Sequence, residues 1–87
     1  MVTIKKVLIG QNEVQLGTVD YYMIKKIDNY GEDFYGVEVA ETAGHQMTSY
    51  IEYFSQDAQK TSEIVTMLYE KNVAAVHLQE VIDAFVQ

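Results

Sequence analysis

Two histidines and thirteen carboxylates are the side chains of this chain from which a reaction centre would have to be built. His77 and Glu80 stand one helical turn apart. With Asp83 one turn further on and His45 brought in from elsewhere, they would make a donor set for zinc, which requires three or four convergent ligands. The same pair has a simpler reading at a helix start, with the imidazole near the first turn and Glu80 reaching back as in a capping box. His45 follows Gly44 in a segment that reads as a hairpin tip. As a general base it would need a nucleophile and an orienting acid. Ser49 and Glu41 are near in sequence, but a turn holds such a set poorly, so His45 is expected as an exposed turn residue. No catalytic residue, metal site or cofactor is expected, and the chain reads as a non-enzyme. Cysteine is absent, which excludes thiolate nucleophiles, disulfides and zinc–thiolate sites.

The carboxylates are unevenly spread. Residues 31–58 hold Glu32, Asp33, Glu38, Glu41, Glu52 and Asp57 and no base, so this stretch carries −6 of the net −7. Paired carboxylates serve glycoside hydrolysis, but that needs a sugar cleft as well. The oxygen-rich segment Asp28–Asp33 is too short for a twelve-residue calcium loop. The acids gain meaning beside the seven tyrosines, which cannot all be buried in so small a core. Tyrosine joins contact area to hydrogen bonding and is enriched at interfaces. Glu32, Asp33, Tyr35, Glu38, Glu41, Tyr50 and Glu52 are therefore the candidate partner-binding residues. Glu38 and Glu52 are expected to stand beside aromatic rings on one sheet face.

The basic side of the ledger limits the partner. All six basic residues are lysines. Arginine's planar fork is the preferred reader of phosphate and guanine, and a few scattered lysines on an acidic chain cannot build a phosphate-binding face. Direct nucleic-acid binding is not expected. A basic protein surface, such as that of a nuclease or regulator, is the matching partner. The N-terminal residues lack the unbroken apolar run and cleavage site of a signal peptide, and no segment approaches the ~20 apolar residues of a membrane helix. The expectation is a cytoplasmic protein without membrane contact.

The elements that would carry these residues follow from periodicity. The whole chain, residues 1–87, is expected to be one small α+β domain. Strands are expected in residues 1–54. Val2–Ile9 is a first strand, with Gly10-Gln11-Asn12 as a turn. Val14–Ile27 is a second, broken near Thr18–Val19 with Gly17 as pivot. A loop over residues 28–33 follows, then strands at Phe34–Glu41 and Met47–Phe54 joined by Ala43-Gly44-His45. Short loops between successive strands argue for an antiparallel meander. Helices are expected over about residues 57–71 and 78–86. The first has Ser55 or Asp57 as cap, an apolar stripe of Ala58, Thr61, Ile64, Val65 and Leu68, and a left-handed stop at Asn72. Val73–Val76 reads as a buried connector. The second carries Leu78, Val81, Ile82 and Phe85 as a stripe. The fold class is a four-stranded antiparallel meander covered on one face by a C-terminal helical hairpin.

Four short motifs, Tyr35-Gly36-Val37-Glu38-Val39, Ser55-Gln56-Asp57, Asn72-Val73 and His77-Leu78-Gln79-Glu80-Val81-Ile82-Asp83-Ala84-Phe85, extend the reading. Together they resemble a family of short Firmicutes and phage proteins of unknown function. The resemblance spans roughly residues 35–86 and transfers no catalytic residue. It implies a bacterial or phage source. It departs from the family pattern at Ala74-Ala75, where proline is frequent, and at Ala84, where an acid is frequent.

Charge and aromatic content together point to a non-enzymatic regulatory protein that recognises a basic partner through an acidic, tyrosine-rich face. One concrete form is an inhibitor whose carboxylates stand where phosphates lie on a nucleic-acid-binding protein. The alternative is a homo-oligomer that sequesters or senses a small ligand between copies, with Lys5, Lys6, Lys25 and Lys26 as the local cations.

Overall fold

The computed structural model describes residues 3–86, so the expected first strand position Val2 lies outside the described residues. Four strands, β1 (Thr3–Val14), β2 (Gly17–Ile27), β3 (Asp33–Ala43) and β4 (Gln46–Ser55), form one antiparallel sheet in the order β1-β2-β3-β4. Helix α1 (Ala58–Glu70), a 3-10 turn (Ala75–His77) and helix α2 (Leu78–Val86) complete the chain. This is the expected α+β meander with helices on one face. Among the described residues no helix is long and apolar enough to cross a membrane.

The first hairpin differs from the sequence expectation. Gly10-Gln11-Asn12 is not a turn but the continuation of β1, which pairs with β2 as far as Val14↔Gly17. The chain reverses at Gln15–Leu16, just ahead of the break expected near Thr18–Val19, and β2 itself runs unbroken through those two residues. A bulge between Leu8 and Gly10 shifts the register and sets Ile9 against the core. Gly10 is required by packing, since a Cβ there would enter the ring of Tyr69. Gly17 is required by its neighbour strand, because a Cβ would run into the carbonyl oxygen of Thr42. Both glycines serve close approach, which mimics a turn signal in the sequence.

The other junctions use local polar chemistry. Asp28 builds the β2–β3 loop by accepting the N–H groups of Tyr30 and Glu32, each at 2.9 Å, while Gly31 takes a φ of 82°. Its carboxylate is occupied by the turn. Gly44, at φ 61°, leads the two-residue β3–β4 reversal, and His45 is exposed there. Asp57 caps α1, its carboxylate accepting from Lys60 N–H at 3.0 Å; Ser55 Oγ accepts from Asp57 N–H at 2.9 Å. Helix α1 ends in a Schellman motif. Asn72, at φ 52°, donates to Tyr69 O at 3.1 Å and Val73 donates to Leu68 O at 3.0 Å.

The core lies between the sheet and the helices. Val19, Tyr21, Val37 and Val39 meet Ile64, Val65, Leu68, Ala75, Leu78 and Ile82. Buried Thr61 returns its hydroxyl to Asp57 O at 2.8 Å, so its burial leaves no orphan donor. Three helix expectations are corrected. Ala58 is exposed at the first position of α1, and the buried stripe begins one turn later at Thr61. Phe85 is 46% exposed at the far end of α2. Of the connector, only Ala75 is buried and Val76 is 73% exposed, since the 3-10 turn points successive side chains to different sides.

Gly17→Ala should cost about 2–3 kcal/mol, because the clash is with backbone that cannot rotate away. Gly31→Ala, with open space around it and only its positive φ to strain, should cost about 1 kcal/mol. Urea denaturation of the two variants measures the difference; equal losses would contradict the close-approach account.

Candidate functional site

The strand registers decide which candidate residues share a surface. Val37 faces the helices and pairs with Glu52, whereas Glu38 pairs with Ile51. Glu38 therefore lies on the uncovered face, and Glu41, Tyr50 and Glu52 lie on the helix side. The expectation that Glu38 and Glu52 share a face is corrected: their positions have opposite parity in the sheet.

Most of the candidate acids are occupied within the fold. Glu32 accepts from Gln56 Nε2 at 3.4 Å. Asp33 pairs with Lys25 at 3.5 Å, and that lysine lies over the ring of Tyr35. Glu38, almost buried, pairs with Lys6 at 3.4 Å. Glu41 turns inward and accepts the backbone N–H of Ala75 at 3.1 Å. Glu52 remains as a half-buried carboxylate with no ion pair among the described residues.

Glu52 lies in a groove of about 340 Å³ between the edge of β4 and the start of α2, lined by Tyr50, Ile51, Glu52, Ala75, Val76, Leu78 and Gln79. Three consecutive β4 residues line it, so it runs at the strand edge rather than over one face. The opposite wall is held by two hydrogen bonds from the sheet. Tyr21 Oη donates to Val73 O at 2.7 Å, and Glu41 accepts from Ala75 N–H. Asn12 adds a third tie, donating to Tyr69 O at 2.9 Å and Asn72 Oδ1 at 3.2 Å. Val76 and Gln79 were not legible as site residues, because their place depends on the path of the connector. A larger hollow of about 530 Å³ is lined by α1 and its cap alone, with Ser62, Glu63, Thr66, Met67, Glu70 and Lys71, and no second element closes it.

The histidines do not assemble a centre. His77 Nδ1 is 3.9 Å from a Glu80 carboxylate oxygen, both strongly exposed, and the His77 N–H that a capping box would offer to Glu80 donates instead to Ala74 O at 3.0 Å. Among the described residues, no three His, Cys, Asp or Glu side chains lie together as metal ligands.

Two tyrosines ionise above the ordinary range. Burial raises Tyr21, and the charge of Glu41 adds to it against the opposing hydrogen bond with Asn12. Burial raises Tyr53, with the charge of Glu38 adding. Because the folded pKa of Tyr21 exceeds its usual value of 10.0, its contribution to stability is complete below pH 10 and is lost as pH rises through the folded value. Tyr21→Phe should lower stability at neutral pH by about 1–2 kcal/mol, the usual loss for a buried hydrogen bond, and should flatten the alkaline decline. Glu41→Ala should speed hydrogen exchange at the Ala75 amide. Exchange unchanged there would mean that the connector is held by packing alone.

No curated protein and no solved structure matches the chain. A family model matches residues 2–87, and so takes in the two N-terminal strands as well as the motifs of residues 35–86. This chain, with its meander, its pinned connector and its β4 groove, belongs to a family of unknown function, DUF6514.

Proposed function

We propose that the protein is a non-enzymatic binding protein of a bacterial or phage cytosol, and that it recognises a basic partner protein at the groove beside β4. The observation that carries this reading is Glu52: a half-buried carboxylate, beside Tyr50, in a groove whose walls contain no lysine. Half-burial strengthens its attraction for a cation relative to a fully solvated acid. Glu80 and Asp83 on α2 add exposed negative charge nearby in the chain. A lysine or arginine of the partner would place its charged head at Glu52 and its stem against Tyr50 and Val76, as long basic side chains favour. The recognition surface is thus narrower than the acidic stretch as a whole, because Asp33, Glu38 and Glu41 are already engaged inside the fold. A bacterial or phage source rests on the sequence motifs.

The test is an amide NMR titration with a short lysine-rich peptide. Shifts should concentrate at residues 50–52 and 75–79 and weaken steeply with added salt. Glu52→Gln should weaken binding about tenfold, the equivalent of ~1.4 kcal/mol. Glu38→Gln, on the opposite face, should leave the affinity unchanged. Binding that ignores salt, or that responds equally to both substitutions, would remove this site.

A further inference from the structure

The two edges of the sheet are protected very differently. β1 carries Lys5, Lys6 and Glu13 and is bent by its bulge. Such charges and bulges discourage strands from pairing with other chains. β4 has no such device over its first six residues. Gln46, Met47, Thr48, Ser49, Tyr50 and Ile51 are all exposed and uncharged, with Met47 71%, Tyr50 45% and Ile51 54% exposed. No proline interrupts them, and the register against β3 is regular from Gln46 to Tyr53.

The uncovered sheet face offers a contrast. Its central Ile24 is 2% exposed although no helix covers it. Lys6 lies 4.3 Å over the ring of Tyr22, and Lys26 lies 4.3 Å over that of Tyr53. These long side chains roof the face from within. The edge of β4 has no such roof.

We infer that β4 pairs antiparallel with β4 of a second copy of this chain about a two-fold axis at Ser49, joining the two sheets into one of eight strands. The register is self-complementary. Ser49 meets Ser49, Met47 meets Ile51, Thr48 meets Tyr50, and Gln46 meets Glu52. Apolar side chains meet on the uncovered face. The polar–aromatic pair meets on the helix side, where Thr48 and Tyr50 are both exposed and so are not overhung by the helix layer. The glutamine amide can donate to the carboxylate. The two Glu52 residues lie six positions apart along the ladder, about 20 Å at the usual strand rise, so a chain of net charge −7 can associate here without opposing its own acids. An isologous contact of this kind closes on itself and does not propagate into a filament. The contact covers Tyr50, Ile51 and Glu52 on the β4 side of the groove, so the second copy competes there with a basic partner. The dimer is read from mass and the basic partner from peptide affinity, so the failure of one is distinguishable from the failure of the other.

Sedimentation of the full chain should give twice the 9.9 kDa monomer mass. Ile51→Lys sets a charge against Met47 twice per dimer. It should weaken association at least about a hundredfold, tenfold for each contact, with an unchanged circular dichroism spectrum, since Ile51 is exposed. Ser49→Cys provides the positive test. Paired strands bring facing Cα atoms to about 4.5–5.5 Å, within disulfide range, and the chain has no other cysteine. Mild oxidation should convert it to a covalent dimer that Leu8→Cys, on the β1 side, does not form. A monomer at all concentrations, or a dimer indifferent to Ile51→Lys whose Ser49→Cys form stays unlinked, would overturn the inference.

Discussion

The arrangement depends on how the chain is held as it leaves α1. The Schellman turn at Asn72 redirects the backbone, and two sheet side chains then fasten it: Tyr21 takes Val73 O and Glu41 takes Ala75 N–H. These are polar contacts at the rim of an apolar core, where an unmade hydrogen bond costs more than a made one contributes. With the connector fixed, the 3-10 turn starts over the sheet and α2 lands on β4 rather than on the strands already covered by α1. The groove beside β4 exists because α2 starts there. Tyr21 also joins this junction to the interior, since its ring packs edge-on to Tyr69 at 6.0 Å between centroids, and Tyr69 in turn lies on Gly10.

The sheet solves a problem that small two-layer domains share. One face has helices and the other has none, yet apolar side chains alternate onto both. On the uncovered side, lysine stems and tyrosine rings shield Ile24, and Lys6 also meets Glu38. An ion pair of this exposure adds at most about 1 kcal/mol, so its main consequence is to hold the lysine across the sheet. Three of the four lysines on β1 and β2 lie over aromatic rings, while Glu52 on β4 has no ion pair among the described residues.

The segments with strong local chemistry were legible in the sequence. Asp57, Asn72 and the stripes Ile64-Val65-Leu68 and Leu78-Ile82 behave as their types and spacing require, because caps and amphipathic faces act within one or two helical turns. Gly10 misled for a physical reason. A glycine needed for room under the Tyr69 ring looks the same in sequence as a glycine needed for a turn. The true reversal at Gln15–Leu16 has no turn glycine between its strands, and Gly17 answers to Thr42, a residue far along the chain. The acidic site was only partly legible. Composition located the excess charge in residues 31–58, but a one-residue difference in parity sends Glu38 and Glu52 to opposite faces.

Residue types and periodicity by themselves determined the fold class, the order of the elements, the two helices and the absence of thiol chemistry, since each is a matter of local propensity or of composition. Tertiary structure alone decided which of the candidate acids are engaged by lysines, side-chain amides or backbone and that Glu52 is not, which of seven tyrosines enters the core, and which sheet edge is left unguarded. Those outcomes turn on strand register and on the path of the connector. Both are fixed by contacts between residues thirty to sixty positions apart, such as Glu41 with Ala75 and Asn12 with Asn72, and no local pattern encodes such contacts.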